Sequence, residues 1–158
     1  MLFRSEVDAS RIYLLGYSLG GKVGLLTTAL DDRVKGLAAV CGFDPLRLAT
    51  PDRGVEGIRR YAQLHGLMPR LGFFEGHESR LPFDFDAALA LAASRPVLLV
   101  APTLDRYARL ADVRAEVEES RKAWTLAGRE SALVLDSPAD FNRFNRRMQE
   151  RVFGWFER

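Results

Sequence analysis

The sequence predicts an α/β protein, a parallel sheet flanked by helices. Four apolar runs of strand length lack polar alternation, helix-like stretches separate them, and a glycine-rich turn joins the first run to the first helix. Ile12 to Leu15 is the first run and Leu19 to Leu30 the helix-like stretch after the turn. Asp31 to Arg33 is a charged turn into the second run, Val34 to Cys41. Asp44-Pro45 and Thr50 to Gly54 break the chain after it. Val97 to Ala101 and Ala132 to Leu135 are the third and fourth strands, with a helix over Asp112 to Ala127 between them. Asp112 reads as the cap of that helix. A terminal helix, Asn145 to Arg158, carries Met148, Val152, Trp155 and Phe156 at helical spacing, and the two aromatics read as core.

Residues 45–95 are too many for a simple crossover. They read as an insertion over one end of the sheet, with a helix over Val55 to His65 and a second over Phe85 to Ser94. Phe73, Phe74, Phe83 and Phe85 read as a satellite core in preference to an acyl or aryl pocket. No internal repeat or flexible linker divides the chain, so residues 1–158 read as one domain.

A domain of 158 residues can bury roughly 70% of its unfolded surface, enough for one substantial core. No apolar run approaches the ~20 residues of a membrane span, and the N-terminus has acidic residues where a signal peptide would be apolar. Membrane insertion is therefore set aside and a cytoplasmic location expected. Net charge is only +2, and acidic residues interleave with the basic ones, as in "DVRAEVEESRKAW". That pattern describes solvated helix faces, not a nucleic-acid footprint. Cys41 is the only cysteine and reads as a buried strand residue, so no disulfide forms within the chain and no thiolate metal cluster is expected. No cofactor is called for.

The chemistry concentrates in "YLLGYSLGGKVGLL". A serine nucleophile must be exposed, given a base, and set beside donors for the oxyanion. A strand-turn-helix corner exposes Ser18 in a strained conformation, which requires small residues two before and two after it, Gly16 and Gly20. The amide of Leu19, at the start of the helix, is a natural oxyanion donor. Gly21 and Gly24 would let that helix approach the sheet.

"VDASRIYLLGYSLGGKVGL" resembles the nucleophile-elbow region of the α/β-hydrolase superfamily. "RPVLLVAPTLDRYA" resembles its acid-bearing strand, and "SALVLDSPADFNRFNRRMQERVFGWFER" its last strand, histidine loop and terminal helix. The nearest flavour is that of dienelactone-hydrolase-like and acetyl-xylan-esterase-like members. The resemblance covers nearly the whole chain but only the C-terminal half of that fold. It implies an esterase, with Ser18 as nucleophile and Asp105 as acid. Asp44 is the runner-up acid, although its place before Pro45 suits a turn.

The base departs from the pattern. The loop "DSPADFNRF" has no histidine, and the expected position falls at or near Asn142, which cannot accept the serine proton near neutral pH. His77, in the insertion, and Asp140, if buried and raised in pKa, are substitute candidates. His65 reads as a surface or cap residue.

The resemblance also implies missing upstream strands. By the superfamily's order the four visible strands lie side by side, with Ile12 to Leu15 at an open apolar edge that a missing N-terminal half or another copy of the chain would cover. Two functions follow as expectations. One is a serine hydrolase of small carboxylic esters with an unidentified base, and the other a non-catalytic module of the same fold used for binding or assembly. A prolyl-oligopeptidase-type peptidase shares the elbow but needs the same histidine.

Overall fold

The structure is a computed structural model that describes residues 8–49, 58–64 and 66–157. Four parallel strands, β1 (Ile12–Tyr17), β2 (Val34–Val40), β3 (Val97–Val100) and β4 (Leu133–Asp136), pair in the order β1-β2-β3-β4. Their apolar runs are continuous because helices cover both faces of the inner strands, and every residue of β3 is buried.

On one face lie α1 (Leu19–Leu30), α2 (Phe85–Leu91) and α3 (Leu110–Leu126), and on the other α4 (Arg146–Phe156). Leu25, Leu37, Leu99, Val113, Val117 and Trp124 form the centre of the first layer. Ala38, Val40, Leu98 and Val100 meet Met148 and Val152 in the second. The alternation along β2, odd positions to one layer and even to the other, is the two-residue period of a strand.

In its aromatic residues the segment after β2 differs from the sequence expectation. Its apolar residues do not form a satellite core: Phe43, Leu46, Ile58, Tyr61, Leu71, Leu81 and Phe85 belong to the same cluster as Leu37 and Trp124. Phe74 and Phe83 pack against that cluster, while Phe73 is 84% exposed. Asp84 makes this possible. Its buried carboxylate accepts from the amides of Leu46 (2.7 Å), Arg47 (2.8 Å) and Phe85 (2.8 Å), capping α2 and pinning the loop after β2 to it.

Of the expected helix over Val55 to His65, the described part is a π-helical turn, Arg60–Leu64. His65, residues 55–57 and the break at residues 50–54 lie outside the described residues. The third helix starts earlier than expected. Arg109 is its N-cap and Asp112 stands inside the first turn, where a carboxylate favours the positive end of the helix dipole.

Among the described residues β1 is the terminal strand and pairs only with β2. Tyr13, Leu15 and Tyr17 remain 46%, 39% and 38% exposed on its outer face. Trp155 and Phe156, expected in the core, are half-buried beside them, and Phe156 meets Tyr13 edge-on at 6.0 Å. Tyr13, Leu15, Pro96, Phe153, Trp155 and Phe156 thus line an apolar groove of about 530 Å³. Among the described residues no helix is long and apolar enough to cross a membrane.

Candidate active site

β1 ends at Tyr17 and α1 begins at Leu19, so Ser18 alone makes the corner between them. Its backbone lies at φ 53° and ψ −116°, a conformation that costs an L-residue on the order of 1–3 kcal/mol and survives only where neighbours enforce it. They do. The Ser18 amide donates to the Val40 carbonyl at 2.8 Å, and the amides of Gly21 and Lys22 donate back to the Ser18 carbonyl at 3.0 and 3.3 Å. The Ser18 side chain makes no capping bond to the helix it precedes, which leaves its hydroxyl for other work.

Close backbone approach explains the glycines unevenly. A Cβ on Gly16 would stand 2.1 Å from the Gly20 carbonyl oxygen, so Gly16 is sterically required. A Cβ on Gly20 would meet nothing within 4 Å, so the expected need for a small residue there is not imposed by its own side-chain space. Gly24 and Gly21 do permit the close contact of α1 with the sheet, since added Cβ atoms would reach Leu37 at 2.9 Å and the Cys41 carbonyl at 3.0 Å. Gly42, at φ +86°, lies so close beneath the corner that a Cβ there would strike the Ser18 carbonyl oxygen at 2.4 Å.

Ser18 opens into a cavity of about 420 Å³ whose walls include Tyr17, Leu19, Lys22, Asp44, Arg60, Tyr61, Tyr107 and Asn142. Leu19, as the first helical residue, carries one of the amides that no intrahelical carbonyl can satisfy.

Asp105 stands behind this wall. One carboxylate oxygen accepts from the Tyr107 amide at 2.9 Å, and the other accepts from Asn142 Nδ2 at 2.9 Å. The Tyr17 hydroxyl donates to Asn142 Oδ1 at 2.8 Å. Burial above all, and then nearby Cys41 and Asp105, push the Tyr17 phenol above its usual pKa, so it stays a donor. The two bonds fix the Asn142 amide: its oxygen is taken by Tyr17 and its nitrogen points at Asp105. Asn142 can hold Asp105 in place but has no basic atom to offer Ser18.

The other base candidates are not brought to the cavity. His77 is exposed, caps a short 3₁₀ turn (Glu78–Arg80), and is absent from the cavity wall. Asp140 is buried, yet the condition for its use fails: the Phe141 amide (2.8 Å) and the Arg143 guanidinium (2.7 Å) hold its carboxyl below the usual range. Cys41 is buried as expected, just past the end of β2, and burial first with Asp105 second pushes its thiol up to about 12.

Two residues of the site were not read from the sequence in the role they occupy. Lys22, less than a tenth exposed, donates to Asp44 Oδ1 at 2.5 Å and lies 4.2 Å from the centre of the Tyr61 ring. Asp44 therefore does not serve merely as a turn residue before Pro45; its carboxylate is buried against Lys22 and also accepts from the Tyr61 hydroxyl at 3.4 Å. The available signal was a lone lysine in the otherwise uncharged helix "LGGKVGLLTTAL", one turn after Ser18. Among the described residues no group of three or more His, Cys, Asp or Glu could hold a metal ion.

A parallel sheet flanked by helices, with a strained serine at a strand-helix corner, defines part of an α/β-hydrolase-type fold. Comparison with known proteins agrees. The chain is 29% identical over 106 residues to carbohydrate esterase MZ0003 from an unknown prokaryotic organism, a match over 66% of this chain and 24% of the relative. It superimposes on a promiscuous CE15 esterase from a marine bacterial metagenome with a TM-score of 0.79 at 20% identity, covering 98% of this chain and 43% of that one. A CE15 glucuronoyl esterase from Teredinibacter turnerae T7901 gives a TM-score of 0.77 at 18% identity over 99% and 42%. The chain thus spans about a quarter of the curated relative and under half of these solved structures. No protein-family model matches it.

Proposed function

We propose that the chain forms the nucleophile-bearing part of a hydrolase of carboxylic esters. The observation that carries this reading is Ser18, strained at the β1–α1 corner with its hydroxyl unused by the helix and open to a 420 Å³ cavity. Ser18 attacks the acyl carbon, and the Leu19 amide donates to the oxyanion as charge develops there. Asp105, through Asn142, positions the wall opposite the helix. The polar lining of Tyr17, Lys22, Arg60, Tyr61 and Tyr107 suits an ester on a hydroxyl-rich molecule, in keeping with the carbohydrate esterase among its relatives.

The exposed edge of β1 and the apolar groove beside it form, in this reading, the seam at which the remainder of such a fold adjoins. That remainder would contribute a further oxyanion donor.

A fluorophosphonate probe tests the nucleophile. The full-length gene product is expected to be labelled, with labelling lost in Ser18→Ala; equal labelling of both would refute the reading. A second reading, a binding module of hydrolase fold without turnover, is favoured by Asn142 standing against Asp105 in the loop where the sequence pattern expects histidine. Turnover of short-chain aryl esters that disappears with Ser18→Ala eliminates it.

A further inference from the structure

We propose that Lys22 and Asp44 together take the proton of Ser18, in place of a histidine. The inference rests on Ser18 being the nucleophile. It begins with position: Ser18 immediately precedes α1, and Lys22 is the fourth residue of that helix, one turn on. Both residues line the same cavity, and the Lys22 amide closes the first turn onto the Ser18 carbonyl.

Burial is the second argument. Two charges have been taken out of water at the cavity wall, where a hydrophobic pair of the same volume would be as stable or more so. Lys22 is 6% and Asp44 5% exposed, and Asp44 Oδ2 has no hydrogen-bond partner among the described residues. The half-satisfied pair is poised for a proton to move. The groups facing Lys22 are Asp44 from the loop after β2, Arg60 and Tyr61 from the π-helical turn, Phe85 from α2, and Asp105 more remotely. Burial pushes the Lys22 ammonium down and the Asp44 carboxyl up, each against the attraction of the other, so the two proton positions approach in energy.

The third argument concerns competitors among the described residues. No imidazole among the described residues lines the cavity, and Asn142 is not a base.

The step balances without a further reactant. As Ser18 Oγ bonds to the acyl carbon, its O–H bond breaks and the proton passes to Lys22 Nζ, while Lys22 releases one of its own to the Asp44 carboxylate. The carbonyl π pair moves onto oxygen. On collapse the ester C–O bond breaks, the leaving alkoxide takes a proton from Lys22, and Asp44 returns its proton to the amine. Water then repeats the sequence on the acyl-enzyme.

The experiment is the rate of fluorophosphonate labelling of the full-length gene product and its Lys22→Met, Lys22→Arg and Asp44→Asn variants, with circular dichroism as the folding control. A general base is worth about 10²–10⁴-fold, so Lys22→Met should slow Ser18 labelling by that order. Lys22→Arg should not rescue it, because a guanidinium cannot give up its proton. Asp44→Asn should slow labelling and change the pH at which it sets in. Ser18-dependent labelling within about threefold of wild type in folded Lys22→Met, or full rescue by arginine, overturns the inference and leaves the nucleophile standing. Labelling that ignores Ser18→Ala overturns both. Should Lys22→Met fail to fold, the arginine variant decides.

Discussion

Asn142 Nδ2 donates to Asp105 Oδ2 across 2.9 Å, tying the loop after β4 to the loop after β3 at the wall of the Ser18 cavity. An imidazole in a Ser-His-Asp arrangement makes the same bond from Nδ1, holding its other nitrogen toward the serine. The amide reproduces the structural half of that arrangement and none of its basicity.

Asn142→His is therefore expected to gain function. The new ring would keep the Asp105 bond and present Nε2 to the cavity, and fluorophosphonate labelling of Ser18 should rise by about tenfold or more, with an onset near pH 6–7. Labelling unchanged in rate and in pH dependence would show that position 142 does not face the serine closely enough to act on it.

The strained corner depends on a residue outside it. Gly42 combines φ +86° with an approach that would set a Cβ 2.4 Å from the Ser18 carbonyl oxygen, and neither backbone can retreat without moving β1 from β2. Gly42→Ala should cost at least about 2 kcal/mol in a denaturant titration and slow labelling of Ser18 more than its stability loss explains. Gly20→Ala, where a Cβ meets nothing, should be far milder.

This contrast marks how much the sequence could reveal. Strand runs such as Val97 to Ala101, one residue longer than the observed strand, and the extent of α1 from Leu19 to Leu30 follow from local pattern, because period and length report burial directly. The sheet order followed from resemblance to a known arrangement. What Gly42 supports was not legible, because the contact joins residues 24 apart in sequence at a distance only folding creates. The Lys22–Asp44 pair is hidden for the same reason, and Asp140, eligible as a base by residue type alone, is held by Arg143 and the Phe141 amide. Residue type supplies chemistry, but a pKa belongs to a neighbourhood.

Glu116 offers a test of that point away from the site. Burial, and then the proximity of Asp84, push its carboxyl up from 4.5 to about 7, although the Asp86 amide donates to it at 2.8 Å. A carboxyl whose folded pKa is raised favours the folded state in its protonated form. Its contribution is thus fully present below pH 4.5 and lost as pH rises through about 7. Glu116→Gln should flatten the stability profile across that window and stabilise the protein above it by about 1 kcal/mol, solvent screening at this half-buried position removing most of the nominal linkage. Thermal unfolding at pH 5 and pH 8 measures it. A variant less stable than wild type at pH 8 would contradict the assignment.

Cys41 should behave as an inert thiol. It is 1% exposed and its pKa is raised from 9.0 to about 12, so the native protein at pH 8 should resist a thiol-specific reagent that modifies the unfolded chain within minutes. The sign matches that of Glu116: the neutral form is favoured by folding, and stability should fall as pH rises from 9 toward 12, less steeply in Cys41→Ala. Rapid modification of folded protein would show that the loop after β2 opens readily.

The last expectation concerns β1. As the terminal strand it leaves one row of backbone donors and acceptors unpaired among the described residues, next to half-exposed Tyr13 and Leu15 and the apolar groove beside α4. An uncovered edge of this kind invites pairing with another chain, and an apolar groove adds area to any partner that arrives. The 158-residue polypeptide prepared alone should therefore associate in a concentration-dependent way up to about 100 μM in sedimentation experiments, and should bind a hydrophobic dye. Leu15→Lys places a charge on the outer face of the strand without touching the Ser18 corner. It should reduce both association and dye binding while leaving the circular dichroism unchanged. A wild-type polypeptide that stays monomeric and dye-free would mean that β1 is protected by the chain itself, and the proposed seam would have to be sought elsewhere.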